Sequence, residues 1–319
     1  MKALVRVAAL VAIAGLLLVY VLWWRGGGTD QPVTFIVEQG SSVGSVARDL
    51  EAKGLIGSAG LFSGFARVLG GGAPVQAGEF EIPAHASPSA ILNLLQHGRP
   101  LQRLITVPEG MPSILVQERL AALPFATGNA PLAEEGAVLP DSYTFERGES
   151  RSAILARMTA AMDQAFASAW AGRKGDCPVG NRREVLTLAS IVEKETAKPS
   201  ERRTVAGVYC NRLKIGMKLD ADPTVIYPIT KGKPLGRRIL RSELNAQNGY
   251  NTYRMAGLPA GPIANPGEDS IKAVLNPAPT RALYFVADGT GGHVFAETLP
   301  EHNANVAKWY RLRRERGQM

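Results

Sequence analysis

NRREVLTLASIVEKET, from Asn181 to Thr196, carries the clearest folding signal in the chain. Asn181 is a good helix N-cap residue, and Glu184 stands three positions later, where a capping box needs it. The helical repeat gathers the apolar side chains of this stretch on one face, namely Val185, Leu188, Ala189 and Val192. The sequence therefore predicts an amphipathic helix, running to about Ala197, whose apolar face packs on a core.

Two acids flank that face at the end of the helix. Glu193 and Glu195 lie about 200° apart around the helix axis, so each is expected to be half-buried at most, and they cannot form a close acid pair. A carboxyl at the rim of an apolar face keeps its proton to a higher pH because desolvation penalises the anion, and a general acid needs this property. In the alternative interpretation, both are edge glutamates without a catalytic role, whose aliphatic stems cover the core. Helix geometry does not choose between them.

The segments around this helix predict a larger α+β domain over residues 101–319. LITVPEG (Leu104 to Gly110) is typical of a strand, and LPDSYTF (Leu139 to Phe145) is turn-rich. Further helices are predicted over residues 114–123, 152–171 and 202–213. A loop-rich region follows, and ALYFVA (Ala282 to Ala287) is predicted to pair with HVFAE (His293 to Glu297) across a DGTGG turn.

Residues 33–100 predict a smaller α+β subdomain. VTFIV (Val33 to Val37) and GEFEI (Gly78 to Ile82) alternate as strands do. Helices are expected after Ser42, over Ala59 to Leu69, and from Pro88 to Gly98. A unit of about 70 residues is near the lower limit for independent folding.

The N-terminal 25 residues predict a membrane anchor with a short cytoplasmic tip. Val7 to Trp24 contains no charge and is long enough as a helix to cross most of a bilayer. Lys2 and Arg6 precede the span, so the positive-inside rule places the N-terminus in the cytoplasm and the rest outside it. Residues 26–32, with three glycines in a row, predict a flexible spacer.

Composition and motifs exclude several other classes of protein. A net charge of +8 suits anionic surfaces, but 20% charged residues is not the composition of a dedicated nucleic-acid binder. Four scattered histidines predict no metal site. The two cysteines, Cys177 and Cys210, are interpreted as small buried hydrophobic residues. A bridge between them is possible in an oxidising compartment, but the sequence alone gives it no support. GSSVG (Gly40 to Gly44) matches a nucleophile elbow, but a turn with a serine cap explains it better.

Several motifs resemble one family. They are VPEGM (Val107 to Met111), LPDSYTF, LASIVEKET (Leu188 to Thr196), ADPTVIY (Ala221 to Tyr227), YNTYRMAGLPAGPIANPG (Tyr250 to Gly267) and GGHVFAETLPEHN (Gly291 to Asn303). In this order they are similar to the endolytic murein transglycosylase, or YceG-like, family. VEQGSSVGSVARDL, in the small subdomain, resembles the opening of a sugar-binding LysM unit.

The resemblance implies a single-pass inner-membrane lyase with a LysM-like subdomain and a larger catalytic domain. It implies cleavage of nascent peptidoglycan strands between N-acetylmuramic acid and N-acetylglucosamine, leaving 1,6-anhydro ends. It assigns catalysis to the first acid of SIVEKE, Glu193, as the single acid and base, with no metal or cofactor. The expected partners are glycan strands, the inner membrane and peptidoglycan synthases of the penicillin-binding class. Nucleic acid is not an expected partner.

The polar loops match family motifs beside the cleft and supply the expected substrate contacts, which are Asp222, Thr224, Tyr227, Asn251, Thr252, Tyr253, Arg254 and Asn265. For each, a rigid turn in which the side chain bonds its own backbone is an equal interpretation. Two other functions compete with the lyase. One is a membrane-tethered scaffold that binds peptidoglycan without cutting it; the other is a muramidase that leaves reducing ends and needs a positioned water and usually a second acid.

Overall fold

The computed structural model describes residues 2–317. The chain divides into two compact units. The first holds the chain up to Arg103 together with Thr144–Glu149, and the second holds Leu104–Tyr143 and the chain from Ser150 onwards. The predicted small subdomain ends at residue 100, close to the observed Arg103, but the sequence did not predict that Thr144–Glu149 belongs to the same unit.

The first helix, α1 (Lys2–Trp23), is an apolar helix of 22 residues. Its segment Leu4–Trp23 has a mean hydropathy of 2.5 and is long enough to cross a membrane. Most of its large apolar side chains are exposed, but Trp23 is only 2% exposed. The end of the helix is therefore packed against protein.

The glycine-rich segment after α1 is packed as well. The Thr29 carbonyl accepts a hydrogen bond of 2.9 Å from the His85 N–H. A Cβ on Gly26 would lie 2.5 Å from the His85 carbonyl oxygen, closer than atoms can approach. Gly28 has φ +74°, which favours glycine. These contacts run against the predicted flexible spacer, because the glycines here permit close approach of two backbone segments.

The first unit is a two-stranded sheet covered by helices. Strands β1 (Val33–Val37) and β2 (Gly78–Ile82) pair antiparallel with Phe35 opposite Phe80, as the alternation predicted. The helices are α2 (Val43–Ala52), α3 (Ala59–Leu69) and α4 (Pro88–His97). Each begins after a serine whose hydroxyl accepts a backbone N–H, and these caps are Ser42, Ser58 and Ser87. The sheet and helices enclose one apolar core that includes Trp23.

The serine of GSSVG is one of these caps. The Ser42 hydroxyl accepts from the Ser45 N–H at 3.1 Å, and the Ser45 hydroxyl accepts from the Ser42 N–H at 3.0 Å. Gly40 has φ +81°. The interpretation as a strand-to-helix turn with a serine cap is confirmed.

The second unit is mainly helical. Its helices are α5 (Ser113–Ala121), α6 (Arg151–Ala171), α7 (Arg182–Glu195), α8 (Arg202–Lys214), α9 (Asp222–Thr230), α10 (Arg241–Asn245), α11 (Glu268–Leu275) and α12 (Leu299–Glu315). Strand β3 (Arg103–Thr106) pairs with β4 (Ser142–Phe145), and the boundary between the units falls within both strands. Strand β5 (Tyr284–Ala287) pairs antiparallel with β6 (His293–Ala296), so the predicted C-terminal hairpin is confirmed.

Helix α7 forms the centre of the second unit. Eight consecutive residues from Val185 to Val192 are buried, and the helix packs on α8, α9 and α11. The Asn181 side chain accepts from the Glu184 N–H at 3.0 Å, which confirms the predicted cap. The buried Ser190 hydroxyl donates to the Thr187 carbonyl and accepts from the Ile263 N–H. The predicted one-sided apolar face is therefore wrong in one respect, because neighbouring helices bury this stretch on all sides.

A disulfide joins Cys177, in the connection between α6 and α7, to Cys210 on α8. The two Cα atoms are 5.0 Å apart. Both residues are buried, as predicted, but the bridge corrects their interpretation as free apolar side chains. The sequence places the two cysteines 33 residues apart, and only the packing of α8 on α7 brings them together.

Candidate active site

The two acids at the end of α7 lie in different surroundings. Glu193 faces Arg202 at the start of α8, and its side chain is 5% exposed. One carboxylate oxygen is 3.3 Å from an Arg202 guanidinium nitrogen, and the other accepts a 2.9 Å bond from the Gly267 N–H. Glu193 is therefore buried more deeply than predicted, and donors occupy both of its oxygens.

Arg202 is the centre of this ion-pair cluster. It also contacts Glu109, from the VPEGM motif, and lies 3.4 Å from Asp269. A Cβ at Gly267 would lie 2.1 Å from a Glu109 carboxylate oxygen, so a side chain there would displace the Glu109 carboxylate. Three carboxylates surround one guanidinium, and the arrangement links α7, α8 and α11 to the VPEGM loop before α5.

Glu195 lies on the other flank of α7, and it is partly buried. Burial raises its pKa to about 7, and the negative charge of Asp222 acts in the same direction. A hydrogen bond from the Tyr209 hydroxyl and the charge of Arg212 lower the pKa but do not cancel the effect of burial. Burial beside a second carboxylate therefore favours the protonated form of Glu195.

The loops predicted to bind substrate meet this flank. Asp222 is the first residue of α9, and the Tyr253 hydroxyl donates to one of its carboxylate oxygens at 2.6 Å. Burial raises the pKa of Tyr253, as do this hydrogen bond and the nearby charges of Asp222 and Glu195. Asp222 and Arg254 are exposed, and Tyr253 is partly buried. We call Glu195, Tyr209, Arg212, Asp222 and Tyr253 the Glu195 cluster.

Tyr227, further along α9, belongs to a second polar group. Its ring lies 4.9 Å from that of Tyr250, and its hydroxyl bonds to Glu135. Burial raises the pKa of Glu135, although donors from Ser113 and Tyr227 lower it. The Ser113 N–H donates to Glu135 at 2.8 Å. Glu135 was not predicted as a site residue, because it lies in a loop with no periodic pattern.

Thr224 and Thr252 are predicted substrate contacts that the structure buries completely. Their hydroxyls are 2.9 Å apart, and that of Thr252 accepts from the Ala221 N–H. The Thr224 hydroxyl accepts from the Thr252 N–H. These bonds join the start of α9 to the NTYR loop, so the two threonines position Asp222 and Tyr253 instead of facing a ligand.

Asn251 and Asn265 are also fully buried, which runs against their predicted sugar contacts. The Asn251 amide donates to three backbone carbonyls at the end of α10, and its oxygen accepts from the Tyr253 N–H. Asn265 accepts from the Val138 N–H at 3.0 Å and donates to the Met111 carbonyl. Both therefore hold loops in place, which agrees with the alternative interpretation as rigid turns.

The missed member of the Glu195 cluster is Tyr209, which is 1% exposed on α8. A buried tyrosine needs a partner for its hydroxyl, and VAGVYCNRL offers none nearby in sequence. That signal was present, but it did not identify Glu195 as the partner.

A cavity of about 750 Å³ opens on the Arg202 side of the unit and is lined by Arg202, Arg203, Lys174 and Lys272 among others. Neither acid of α7 lines this cavity, so its size alone does not identify the reacting group. Within residues 2–317, no three His, Cys, Asp or Glu side chains are grouped to hold a metal ion.

The fold and the site define an α+β protein with two acids, Glu193 and Glu195, at the end of a buried helix. The chain belongs to the YceG-like family, whose sequence model matches residues 35–308. A crystal structure of a YceG-like protein from Listeria monocytogenes is 28% identical, with a TM-score of 0.51, and the alignment covers 86% of this chain and 99% of that one.

Two curated relatives bear the name endolytic murein transglycosylase. The protein from Streptococcus pneumoniae strain D39 is 28% identical over 325 residues, covering 86% of this chain and 58% of that protein. The protein from Bacillus subtilis is 34% identical over 182 residues, covering 57% of this chain and 49% of that protein. The chain thus spans about half of the length of the curated relatives it matches.

Proposed function

We propose that this chain is an endolytic lytic transglycosylase that cleaves nascent peptidoglycan strands and leaves 1,6-anhydro-N-acetylmuramic acid ends. The names of its relatives support the enzyme class. The observation that carries the proposal is the buried carboxyl of Glu193, where residues of three family motifs meet: Glu193 itself, Gly267, whose N–H it accepts from, and Glu109, which shares Arg202 with it.

We assign the acid–base role to Glu193, the residue that the resemblance implies, and Glu195 is the alternative. The Glu193 side chain is 5% exposed and lies between the Arg202 guanidinium and the Gly267 N–H. Substrate must displace one of these contacts before the carboxyl can donate a proton. Burial raises the pKa of Glu195 to about 7, which would also suit an acid–base group.

The proposed reaction needs one carboxyl. Protonated Glu193 gives its proton to the oxygen between muramyl C1 and the next N-acetylglucosamine as the C1–O bond breaks. The muramyl C6 hydroxyl then bonds to C1, and its proton passes to the Glu193 carboxylate. The products are an anhydro end and a free 4-hydroxyl, and the acid is regenerated. No water is consumed, so the reaction is that of a lyase.

Four of the predicted contacts fit the substrate in this proposal, namely Asp222, Tyr227, Tyr253 and Arg254. Their hydroxyl, carboxylate and guanidinium groups bond sugar hydroxyls and amides, and the tyrosine rings offer apolar faces for sugar rings. The buried residues beneath these side chains would hold their loops in place; they are Thr224, Thr252, Asn251 and Asn265.

The first unit is proposed to be LysM-like and to hold glycan, and α1 to anchor the protein in the inner membrane with its N-terminus in the cytoplasm. Peptidoglycan synthases of the penicillin-binding class are the proposed protein partners. The alternative function is a membrane-tethered scaffold that binds peptidoglycan without cutting it.

Mass spectrometry of products from purified glycan strands tests the assignment. We expect anhydro ends from the wild-type chain and from Glu195→Gln, and none from Glu193→Gln. Thermal melts of both variants show whether each is folded. Anhydro ends from Glu193→Gln together with a folded, inactive Glu195→Gln would give the role to Glu195. Reducing ends would indicate a muramidase, and unchanged strands from the wild-type chain would indicate the scaffold.

A further inference from the structure

Helix α3 (Ala59–Leu69) in the first unit has two apolar faces. Ala59, Phe62 and Ala66 are buried in the core. Leu61, Phe65 and Val68 are spaced at i, i+4 and i+7, so they form a second stripe on a neighbouring face. In this stripe Leu61 is 50% and Val68 79% exposed. A soluble helix normally presents polar side chains there, so the exposed stripe needs a partner.

The stripe adjoins the end of the proposed membrane anchor. The Trp23 ring lies 5.4 Å from that of Phe65, in the stripe, and 5.7 Å from that of Phe62, in the core. Because Trp23 ends α1, α3 lies beside the last turn of the span. In a bilayer crossed by α1, that turn is at the boundary between the acyl chains and the headgroups.

The segment that follows α1, residues 24–32, is packed against the rest of the first unit. The Thr29 carbonyl is bonded to the His85 N–H, and Gly26 is in close contact with the His85 backbone. Trp23 belongs to the core of the first unit. The position of α3 relative to the end of α1 is therefore set by packing.

The charge and length of α3 also fit a membrane surface. Its 11 residues are too few to cross a bilayer. It contains no acid, and Arg67 stands in its last turn, so anionic headgroups would not repel it. Helices that lie in the interface plane bury an apolar stripe in the lipid and are attracted by anionic headgroups through basic residues, so the apolar stripe and Arg67 of α3 are compatible with that position.

We propose that the Leu61–Phe65–Val68 stripe of α3 rests in the outer surface of the bilayer that α1 crosses, so that the first unit is held flat against the lipid. The occupant is phospholipid, and the stripe continues the apolar surface of the anchor. The proposal rests on the proposed span of α1. It differs from a free tether, in which the first unit would move away from the membrane.

Fluorescence quenching of the full-length chain in phospholipid nanodiscs tests this. Both native cysteines are in a disulfide, so a single introduced cysteine can be labelled with a polarity-sensitive dye. We would label Val68→Cys, Leu16→Cys within α1, and Glu81→Cys as the matched control. Glu81 is exposed and pairs with Thr34 on the sheet face turned away from the core.

The Val68 label is expected about 5–10 Å below the headgroup surface. Shallow nitroxide lipids should quench it and aqueous iodide should not, whereas the Glu81 label should show the reverse. Iodide quenching of the Val68 label equal to that of the Glu81 label would overturn the proposal. Shielding from iodide without quenching by lipid would also overturn it, because the stripe would then be covered by a second copy or another protein. A Leu16 label outside the hydrocarbon would instead refute the span.

Discussion

Replacing Glu195 with glutamine should stabilise the second unit at neutral and higher pH. The pKa of Glu195 is about 7 in the folded chain, against an ordinary value of 4.5. Below pH 4.5 the carboxyl is protonated in both states, so it has no effect on stability. Between pH 4.5 and about 7 the unfolded chain loses its proton first, so stability falls as pH rises. The total cost is about 3 kcal/mol above pH 7, at about 1.4 kcal/mol per pH unit.

Glutamine has nearly the size of protonated glutamate and carries no charge, so Glu195→Gln should recover most of this free energy of unfolding above pH 7 and little of it below pH 4.5. Urea denaturation of the full chain in detergent, followed by circular dichroism at several pH values, measures it. The matched control is Glu193→Gln, which should lose about 1–3 kcal/mol because Arg202 loses a charged partner. A difference between Glu195→Gln and wild type that does not change with pH would refute the raised pKa.

Three further outcomes follow from single contacts. Tyr209→Phe removes a hydrogen bond that lowers the pKa of Glu195, so this pKa should rise and the pH range over which stability falls, measured by urea denaturation, should extend to higher pH. Replacing Cys177 and Cys210 by serine should cost about 3–4 kcal/mol of stability, measured by denaturation with and without reductant, because the bridge closes a loop of 33 residues. Asn265→Ala should lower the free energy of unfolding by about 3 kcal/mol and with it the melting temperature. If Asn265 only contacted the sugar, the substitution would change KM and leave the melting temperature unchanged.

Local signals were sufficient for much of the fold. The caps Ser42, Ser87 and Asn181 and the alternation of VTFIV and GEFEI depend on neighbours in sequence, and those elements begin where predicted. Strand β4 was missed because four residues within a turn-rich motif show little alternation. The predicted strand from Leu104 ends at Thr106, because the following residues turn at Pro108.

The region between α8 and β5 was predicted to be loop-rich but contains α9, α10 and α11. Helix α9 has prolines at Pro223 and Pro228, and its propensity is therefore poor. It forms because Thr224 and Val225 are buried against α7, which is tertiary information. Tertiary contacts also explain the glycines at residues 26–28. Their composition predicted a flexible segment, but Gly26 and Gly28 are in close contact with other backbone segments.

The site shows the same limit. Helical geometry located both acids of α7 but could not choose between them, because the choice depends on Arg202 facing one and Tyr209 facing the other. Polar residues in the loops were correctly identified as a group. Their division into accessible side chains such as Asp222 and buried supports such as Asn251 depends on depth below the surface, which residue type does not encode.

The bridge between Cys177 and Cys210 links stability to the cellular compartment. Disulfides persist in oxidising compartments and are reduced in the cytosol. The bridge encloses all of α7, so a covalent bond links the segment that carries both acids to α8. In an oxidising compartment the segment keeps this link, whereas in a reducing one its position would depend on packing alone.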